Sequence, residues 1–236
     1  MTTFILGIIP ARGGSKGIPQ KNIALVGGRP LIAYTIDAAK GSQRLNDFIL
    51  STDSEAIAKC AAMCGLHCDS LRPAALATDD AKTIDVVIHE ILQYEEKNSL
   101  TVDIVVLLQP TVPTRTSKDI DNSVDLVLLQ KAESLISVYD VKSTHPSVMY
   151  YLNEGLLSPV LEEGKQMRRR QDFQPVYMRN GALYIATRSL ILEKHTLVNE
   201  NPLAYVMPQE RSVNIDEPFD LMVADCLLSQ IKNDQP

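Results

Sequence analysis

No part of the chain approaches the length of a membrane span. The longest apolar runs, such as Phe4 to Ile9 and Ile104 to Leu108, are strand-sized, far short of the ~20 residues a spanning helix requires. The N-terminus has neither a basic segment nor an extended apolar stretch before Pro10, so no secretory signal is expected and the protein is expected in the cytoplasm. Four cysteines in 236 residues do not make a disulfide scaffold, and a reducing compartment keeps them as thiols. There is no basic excess either: Lys+Arg 23 against Asp+Glu 29 gives a net charge of -6. Sequence-independent nucleic-acid binding, which needs a broad basic face, is therefore not expected, and no membrane partner is expected. Low-complexity tracts, a collagen period and internal repeats are all missing.

With those classes set aside, an ordinary globular chain remains. Aromatic residues are scarce at 5%, but 45% of the sequence is hydrophobic. A chain of this length makes one large domain, or one with a small appendage, and buries about 70% of its unfolded surface.

Strands and helices alternate. Phe4 to Ile9 closes on Pro10 as a strand buried on both faces. Pro30 opens a helix through Ala38, and Asp47 to Thr52 reads as a second strand. Ser54 caps the next helix. Ile84, Val87, Ile88, Ile91 and Leu92 recur at helical spacing, which predicts a helix over Thr83 to Tyr94. A strand at Asp103 to Leu108, a helix from Ser117 to about Lys131 and a strand at Ser134 to Tyr139 follow. This is a βαβ rhythm, hence an α/β fold with a mostly parallel sheet flanked by helices. The rhythm breaks between Lys142 and Gln174, where turn pairs such as Glu154-Gly155 separate short strands at Val148 to Leu152 and Leu156 to Leu161. A strand resumes at Gly181 to Ala186. Asp216-Glu217-Pro218 then caps a last helix, Phe219 to Ile231.

The chemical signal is the segment directly after the first strand, Pro10-Ala-Arg-Gly-Gly-Ser-Lys-Gly-Ile-Pro-Gln-Lys-Asn22. Gly13, Gly14 and Gly17 allow close backbone approach, with N–H groups free to cradle phosphate oxygens. Arg12, Lys16 and Lys21 add the cations a polyphosphate needs. The spacing matches neither a P-loop nor G-x-G-x-x-G. In an open parallel sheet, ligands collect at the carboxyl ends of the strands, where this loop lies.

These residues resemble the signature of the acylneuraminate cytidylyltransferases, also called CMP-sialic acid synthetases, a family that includes CMP-legionaminate and CMP-pseudaminate synthetases. Further matches follow in the family's order: Ser51-Thr52-Asp53, Arg72-Pro73 with Leu76-Ala77-Thr78-Asp79, Leu107-Leu108-Gln109-Pro110-Thr111, Arg169-Arg170-Gln171-Asp172, Asn180-Gly181-Ala182-Leu183-Tyr184 and Asn214-Ile215-Asp216. The resemblance runs from about Ile5 to Ala224. It implies a Rossmann-like nucleotidyltransferase fold in a single domain spanning 1–236, with residues 142–167 as an inserted dimerisation arm, hence a homodimer. It implies transfer of CMP from CTP to the anomeric hydroxyl of a nonulosonic acid, with release of pyrophosphate. The acid would be N-acetylneuraminate or a bacterial relative such as di-N-acetyllegionaminate.

The same resemblance distributes roles. Arg12, Lys16 and Lys21 fall to the triphosphate, within a nucleotide-binding loop of Ala11, Arg12, Gly13, Gly14, Ser15 and Lys16. Asn22, Arg72 and Thr83 fall to the cytidine moiety. Gln109, Arg170, Asn180 and Tyr184 fall to the sugar acid, with Arg170 as the fork for its carboxylate. Asp216 falls to Mg²⁺, which takes hard oxygen ligands, and Asn214 stands beside it. Many relatives read Asp-Ile-Asp where this chain has Asn214-Ile215-Asp216, and the neutral Asn214 weighs against a two-metal scheme. Two other readings remain open: a 3-deoxy-manno-octulosonate cytidylyltransferase, and a catalytically silent nucleotide-binding domain. Outside the resemblance, Cys60 and Cys64 read as small hydrophobes on a helix face. His145 has little claim to a site, and Asp119, Asp121 and Asp125 read as a solvated helix face.

Overall fold

The computed structural model describes residues 3–15, 17–162 and 173–233. Lys16 and the segment carrying Arg169, Arg170, Gln171 and Asp172 lie outside the described residues, and so do the roles expected of Lys16 and Arg170. The elements run β1 (Ile5–Pro10), a small hairpin of β2 (Leu25–Val26) and β3 (Arg29–Pro30), α1 (Leu31–Lys40), β4 (Asp47–Ser51), α2 (Glu55–Met63), α3 (Thr83–Asn98), β5 (Ile104–Leu107), α4 (Ser117–Gln130) and β6 (Ser134–Asp140). They continue with a second hairpin of β7 (Tyr150–Asn153) and β8 (Leu156–Pro159), β9 (Tyr177–Thr187), α5 (Arg188–Lys194), β10 (Leu203–Val206) and α6 (Pro218–Asn233).

One six-stranded sheet, ordered β10-β6-β9-β5-β1-β4, forms the centre. β1 pairs in parallel with β4 and β5, and β10 with β6. The alternation along β1 shows why this strand is apolar throughout. Ile5 and Ile9 enter one core cluster with Ile32 and Ile36 of α1, Ile57 of α2 and Val124 of α4. Leu6 and Ile8 face the opposite cluster, with Val87 and Ile91 of α3 and Leu190 of α5. Helices therefore cover both faces, as a parallel sheet requires.

β9 departs from the expected rhythm. It is antiparallel to both β5 and β6, and it starts at Tyr177 rather than Gly181. Among the described residues no α-helix stands between β6 and β9, so nothing seen there forces parallel entry. α5, β10 and the β2–β3 hairpin, with positive φ at Gly27 and Gly28, were not read from the sequence. The β7–β8 hairpin forms near the expected positions, with left-handed φ at Glu154 and Gly155 in its turn. α6 starts at Pro218, and a carboxylate of its first turn reaches back to the two residues before it. The Asp220 carboxylate accepts from the N–H of Asp216 and of Glu217, each at 2.9 Å.

Two buried arginines join these parts. Arg115 donates to the carbonyls of Gln109 (2.9 Å) and Ala182 (2.8 Å) and to Thr35 Oγ1, so it ties the loop after β5 to β9 and α1. Complete burial lowers its guanidinium pKa to about 10. The other, Arg72, stands at the carboxyl end of β4, beside Ser51. Cys60 and Cys64 pack in and against the first core cluster. His145 is buried between Ser147 and the Gln174 carbonyl, and it stacks on Phe173.

The aspartates of α4 are a solvated face only in part: Asp125 is exposed, Asp121 is half-buried and Asp119 is buried. Asp121 accepts from Ser42 Oγ and two backbone N–H groups, and Asp125 pairs with Arg44. Asp119 is 2% exposed and closes a capping box with Thr116. It also pairs with Arg211 and accepts from the Tyr205 hydroxyl. The sequence pattern could not show this, because Arg211 arrives from the far end of the chain. Burial pushes the Asp119 carboxyl up, but hydrogen bonds from Arg211 and Thr116 more than offset it and hold it below the usual value. Because the folded-state pKa is depressed, this contribution is present above the ordinary carboxylate range and lost as pH falls through the lowered value. Asp119→Ala is expected to cost about 3 kcal/mol at neutral pH, at the low end for a buried pair because Arg211 keeps some solvent. Urea unfolding checks it, and the gap from wild type should shrink as the pH drops below about 4.

Candidate active site

A cleft of about 700 Å³ opens at the carboxyl ends of β1 and β5, lined by Pro10 and Gln109 among others. The loop after β1 forms one wall. Its backbone is held by neighbours: the Ala11 N–H donates to the Ser51 carbonyl at 2.9 Å, and the Gly13 N–H donates to Asp53 Oδ1 at 2.8 Å. Asn22, 6% exposed, donates through Nδ2 to the Arg12 carbonyl at 3.0 Å. The Arg12 guanidinium turns into the cleft and meets Asp79 Oδ1 at 3.0 Å and the Thr78 carbonyl at 3.4 Å.

The opposite wall is the 214–217 segment. Lys21 reaches it with Nζ, donating to the Ile215 carbonyl at 2.7 Å and to Asp216 Oδ1 at 2.8 Å. Asn214 donates through Nδ2 to Asp216 Oδ2 at 2.6 Å. Its own Oδ1 is buried without a hydrogen-bond partner among the described residues. The segment is fixed to the loop after β5 because the Ile215 N–H donates to the Thr111 carbonyl. Two glycines permit this closeness. A methyl on Gly17 would collide with the Asp216 carbonyl oxygen, and one on Gly181 would lie 2.9 Å from Gln109 Oε1, at a φ of +77°. Both positions therefore need glycine.

The back of the cleft carries Arg72 and the start of α3. Arg72 is 8% exposed and donates to Ser51 Oγ at 2.9 Å and to the Ser51 carbonyl at 2.7 Å. Ser51 in turn donates to Glu90 Oε1 of α3 at 2.6 Å. Burial is the chief cause lowering the Arg72 pKa, opposed by the charges of Glu90 and Asp53. Thr83 and Val86 bring the N-terminal turn of α3 to the cleft, with no side-chain cap on that end. The positive end of a helix there adds to the cationic field.

Arg12, Ser15, Lys21, Asn22, Arg72, Thr83, Gln109, Asn214 and Asp216, expected from distant parts of the sequence, thus line one cleft. Ala11 is fully buried and does not line it. Gly13 and Gly14 belong to the same loop without lining the cleft. Asn180 is 1% exposed, bonded to Ser137, Ser212 and the Ala182 N–H, and borders a second, neighbouring cleft. Tyr184 lines neither cleft and packs against the core cluster of α3 and α5. Asp79, Asp53 and Glu90 received no role from the sequence. Asp79 ends the Leu76-Ala77-Thr78-Asp79 motif, which was its only signal.

A family model described as cytidylyltransferase matches residues 6–207, and the chain belongs to that family. It is a nucleotidyltransferase of the CMP-sialic acid synthetase type. It is similar to the CMP-N,N'-diacetyllegionaminic acid synthase of Legionella pneumophila, 35% identical over 228 residues, covering 95% of this chain and 96% of that one. It is 34% identical to the N-acylneuraminate cytidylyltransferase of Escherichia coli, covering 100% of this chain and 54% of that one. The chain thus spans about half the length of that relative, and likewise of the Streptococcus agalactiae N-acylneuraminate cytidylyltransferases (51%). Among solved structures, a CMP:2-keto-3-deoxy-manno-octonic acid synthetase complexed with CTP superposes with a TM-score of 0.72 over 97% of this chain and 100% of that one. At 14% identity it shares the fold alone.

Gly17→Ala tests the juxtaposition of the two walls. The added methyl should push the 215–217 segment off the loop and separate Lys21 from Asp216. Nucleotidyl transfer should fall at least tenfold, read as pyrophosphate release, since positioning dominates such chemistry. Circular dichroism should show the fold retained.

Proposed function

We propose that the protein activates a nonulosonic acid: CTP and an N-acylneuraminate-type 2-keto sugar acid give the CMP-sugar and pyrophosphate. The observation that carries this reading is the single cleft in which Arg12 and Lys21 on one wall face Asp216 on the other. Membership of the cytidylyltransferase family and the full-length similarity to a legionaminic acid synthase support the choice of acid.

The chemistry is an in-line displacement at the α-phosphorus. The anomeric hydroxyl oxygen forms the new P–O bond as the bond to the departing pyrophosphate breaks, and the hydroxyl proton is released to solvent. Catalysis rests on alignment and on neutralising charge. Arg12 and Lys21 supply cations for the phosphates. Arg72, Asn22 and Thr83 shape the nucleoside end, and Gln109 stands on the acceptor side beside Gly181. Each cation already has an internal carboxylate or carbonyl partner, which a phosphate can replace at modest cost where the pair is exposed.

The residues present fit one Mg²⁺. Asp216 offers a carboxylate whose side chain is 63% exposed, and Asn214 offers a buried, unpartnered Oδ1. One or two carboxylates together with substrate phosphates are what Mg²⁺ usually takes. When bound, it would neutralise charge developing on the phosphate oxygens. Lys21 and Asn214 hold the Asp216 carboxylate in place for that role.

Pyrophosphate release from CTP with a panel of 2-keto sugar acids tests the reading. Turnover is expected with N-acylated nine-carbon acids, lost on chelation and restored by Mg²⁺. Turnover only with the eight-carbon 3-deoxy-manno-octulosonate would refute the acid assigned, and CTP binding without turnover on any acid would refute the enzyme. Arg12→Ala should lower turnover at least a hundredfold without changing the unfolding midpoint, a loss in the range for a charge-stabilising group.

The proposed enzyme works as a homodimer in the cytoplasm. Supporting the dimer, the β7–β8 hairpin exposes Tyr150, Tyr151, Leu152, Leu156 and Leu157, with Leu156 76% exposed. Apolar surface concentrated in this way marks an interaction face. Among the described residues, no helix is long and apolar enough to cross a membrane. Replacing Leu152 and Leu156 together by Lys should shift the sedimenting species from twice the 26.1 kDa chain mass to one chain.

A further inference from the structure

Beside the first cleft lies a second, of about 420 Å³, lined among others by Tyr139, Met178, Arg179, Gln209, Phe219 and Asp220. Asn214 lines both clefts. A molecule reacting at Asp216 can therefore pass its remaining atoms over Asn214 into this second space. The strand geometry agrees. Gly181 abuts Gln109 and Asn214 at the boundary, and Arg179 and Met178 lie two and three residues back along β9, roughly 7 and 10 Å away at the rise of a strand.

The lining has a specific chemistry. Arg179 is exposed and has no hydrogen-bond or ion-pair partner among the described residues. Asp220 uses Oδ2 for the two backbone N–H groups at the start of α6, and its Oδ1 has no partner among the described residues. Phe219 is 70% exposed and Met178 49%, with Val223 beside them. The cleft thus presents a donor fork, a free carboxylate oxygen and an apolar surface together. Arg179 and Asp220 offset one another, so the space does not favour an anion. It suits a neutral group with an acceptor, a donor and a methyl.

We propose that this second cleft receives an acylamido substituent of the acid, remote from the anomeric carbon. Arg179 donates to the acyl oxygen, Asp220 Oδ1 accepts the amide N–H, and Phe219, Met178 and Val223 cover the methyl. A hydroxyl at the same carbon uses the polar groups but leaves the apolar wall uncovered. The cleft therefore sets which acids are accepted. This inference rests on the proposed activity, and its test separates the two.

The experiment compares two nine-carbon 2-keto acids, one with an acetamido group at the remote end and one with a hydroxyl there. Wild type should prefer the acetamido acid by about tenfold or more in kcat/KM, the scale of a charge-assisted hydrogen bond plus a buried methyl. Arg179→Gln and Phe219→Ala should each bring that ratio to within about twofold of unity, while KM for CTP stays unchanged. An unchanged ratio in both variants overturns the proposal, and so does a wild type without preference. So does an equal loss on both acids with a raised KM for CTP, which marks a merely structural role. If wild type turns over neither acid, the proposed activity fails. Calorimetric titration of the same two acids into protein loaded with a non-hydrolysable CTP analogue then decides the cleft: a preference lost in both variants upholds it, and no preference overturns it.

Discussion

The site depends on the contact of Lys21 with the 214–217 segment. An ammonium that is only 14% exposed must have compensating acceptors, and Lys21 finds two, the Ile215 carbonyl and the Asp216 carboxylate. This one side chain joins the loop after the first strand to residues at the far end of the chain. The segment cannot drift, because the Ile215 N–H is tied to Thr111 and Asp220 caps the N–H groups of Asp216 and Glu217. The loop after β1, the loop after β5 and the start of α6 consequently behave as one unit. Gly17 is the condition for it, since no other residue fits under the Asp216 carbonyl.

The second organising feature is β9. Inserted antiparallel between β5 and β6, it brings Asn180 and Gly181 just past the end of β5 and beside the middle of β6. Its register against β6 shifts between Ile136 and Val138, close to the left-handed Gly181. Buried Arg115 then fastens the Ala182 carbonyl to the Gln109 carbonyl. The two clefts share the Asn214 wall; this strand lends Arg179 and Asn180 to the second, while Gly181 packs against Gln109 and Asn214.

Much of this was legible in the sequence. Burial on both faces of a parallel strand requires continuous apolar runs, so Ile5–Pro10 and Ile104–Leu107 announced themselves, as did the amphipathic period of Thr83–Asn98. The loop cations were visible because they stand together in a chain with an acidic balance. What local patterns could not carry was long-range pairing. Asp119 looks like a surface aspartate until Arg211 and Tyr205 arrive from ninety residues away. Tyr184 shares a motif with Asn180 and Gly181, yet alternation along the strand turns it to the other face, into the core of α3 and α5. Asp216, expected to cap α6, is instead engaged by Lys21 and Asn214, while Asp220 of the first turn reaches back to the N–H groups of Asp216 and Glu217.

The two carboxylates that hold the loop cations differ in a way that bears on how a polyanion enters. Arg12 and Asp79 are 37% and 48% exposed as side chains, so their pair is screened by solvent and contributes about 1 kcal/mol at most. Lys21 is far less accessible, and its carbonyl contact with Ile215 adds to the carboxylate. A phosphate chain would displace Asp79 from Arg12 well before it displaced Asp216 from Lys21. On the proposed reading this order is useful: Arg12 is released to the incoming charge, while Asp216 stays oriented by Lys21 and Asn214 as an oxygen donor. The unpartnered Oδ1 of Asn214 fits the same picture. A buried acceptor without a donor costs free energy in the ligand-free protein, and a cation or a substrate hydroxyl at the boundary of the two clefts removes that cost on binding.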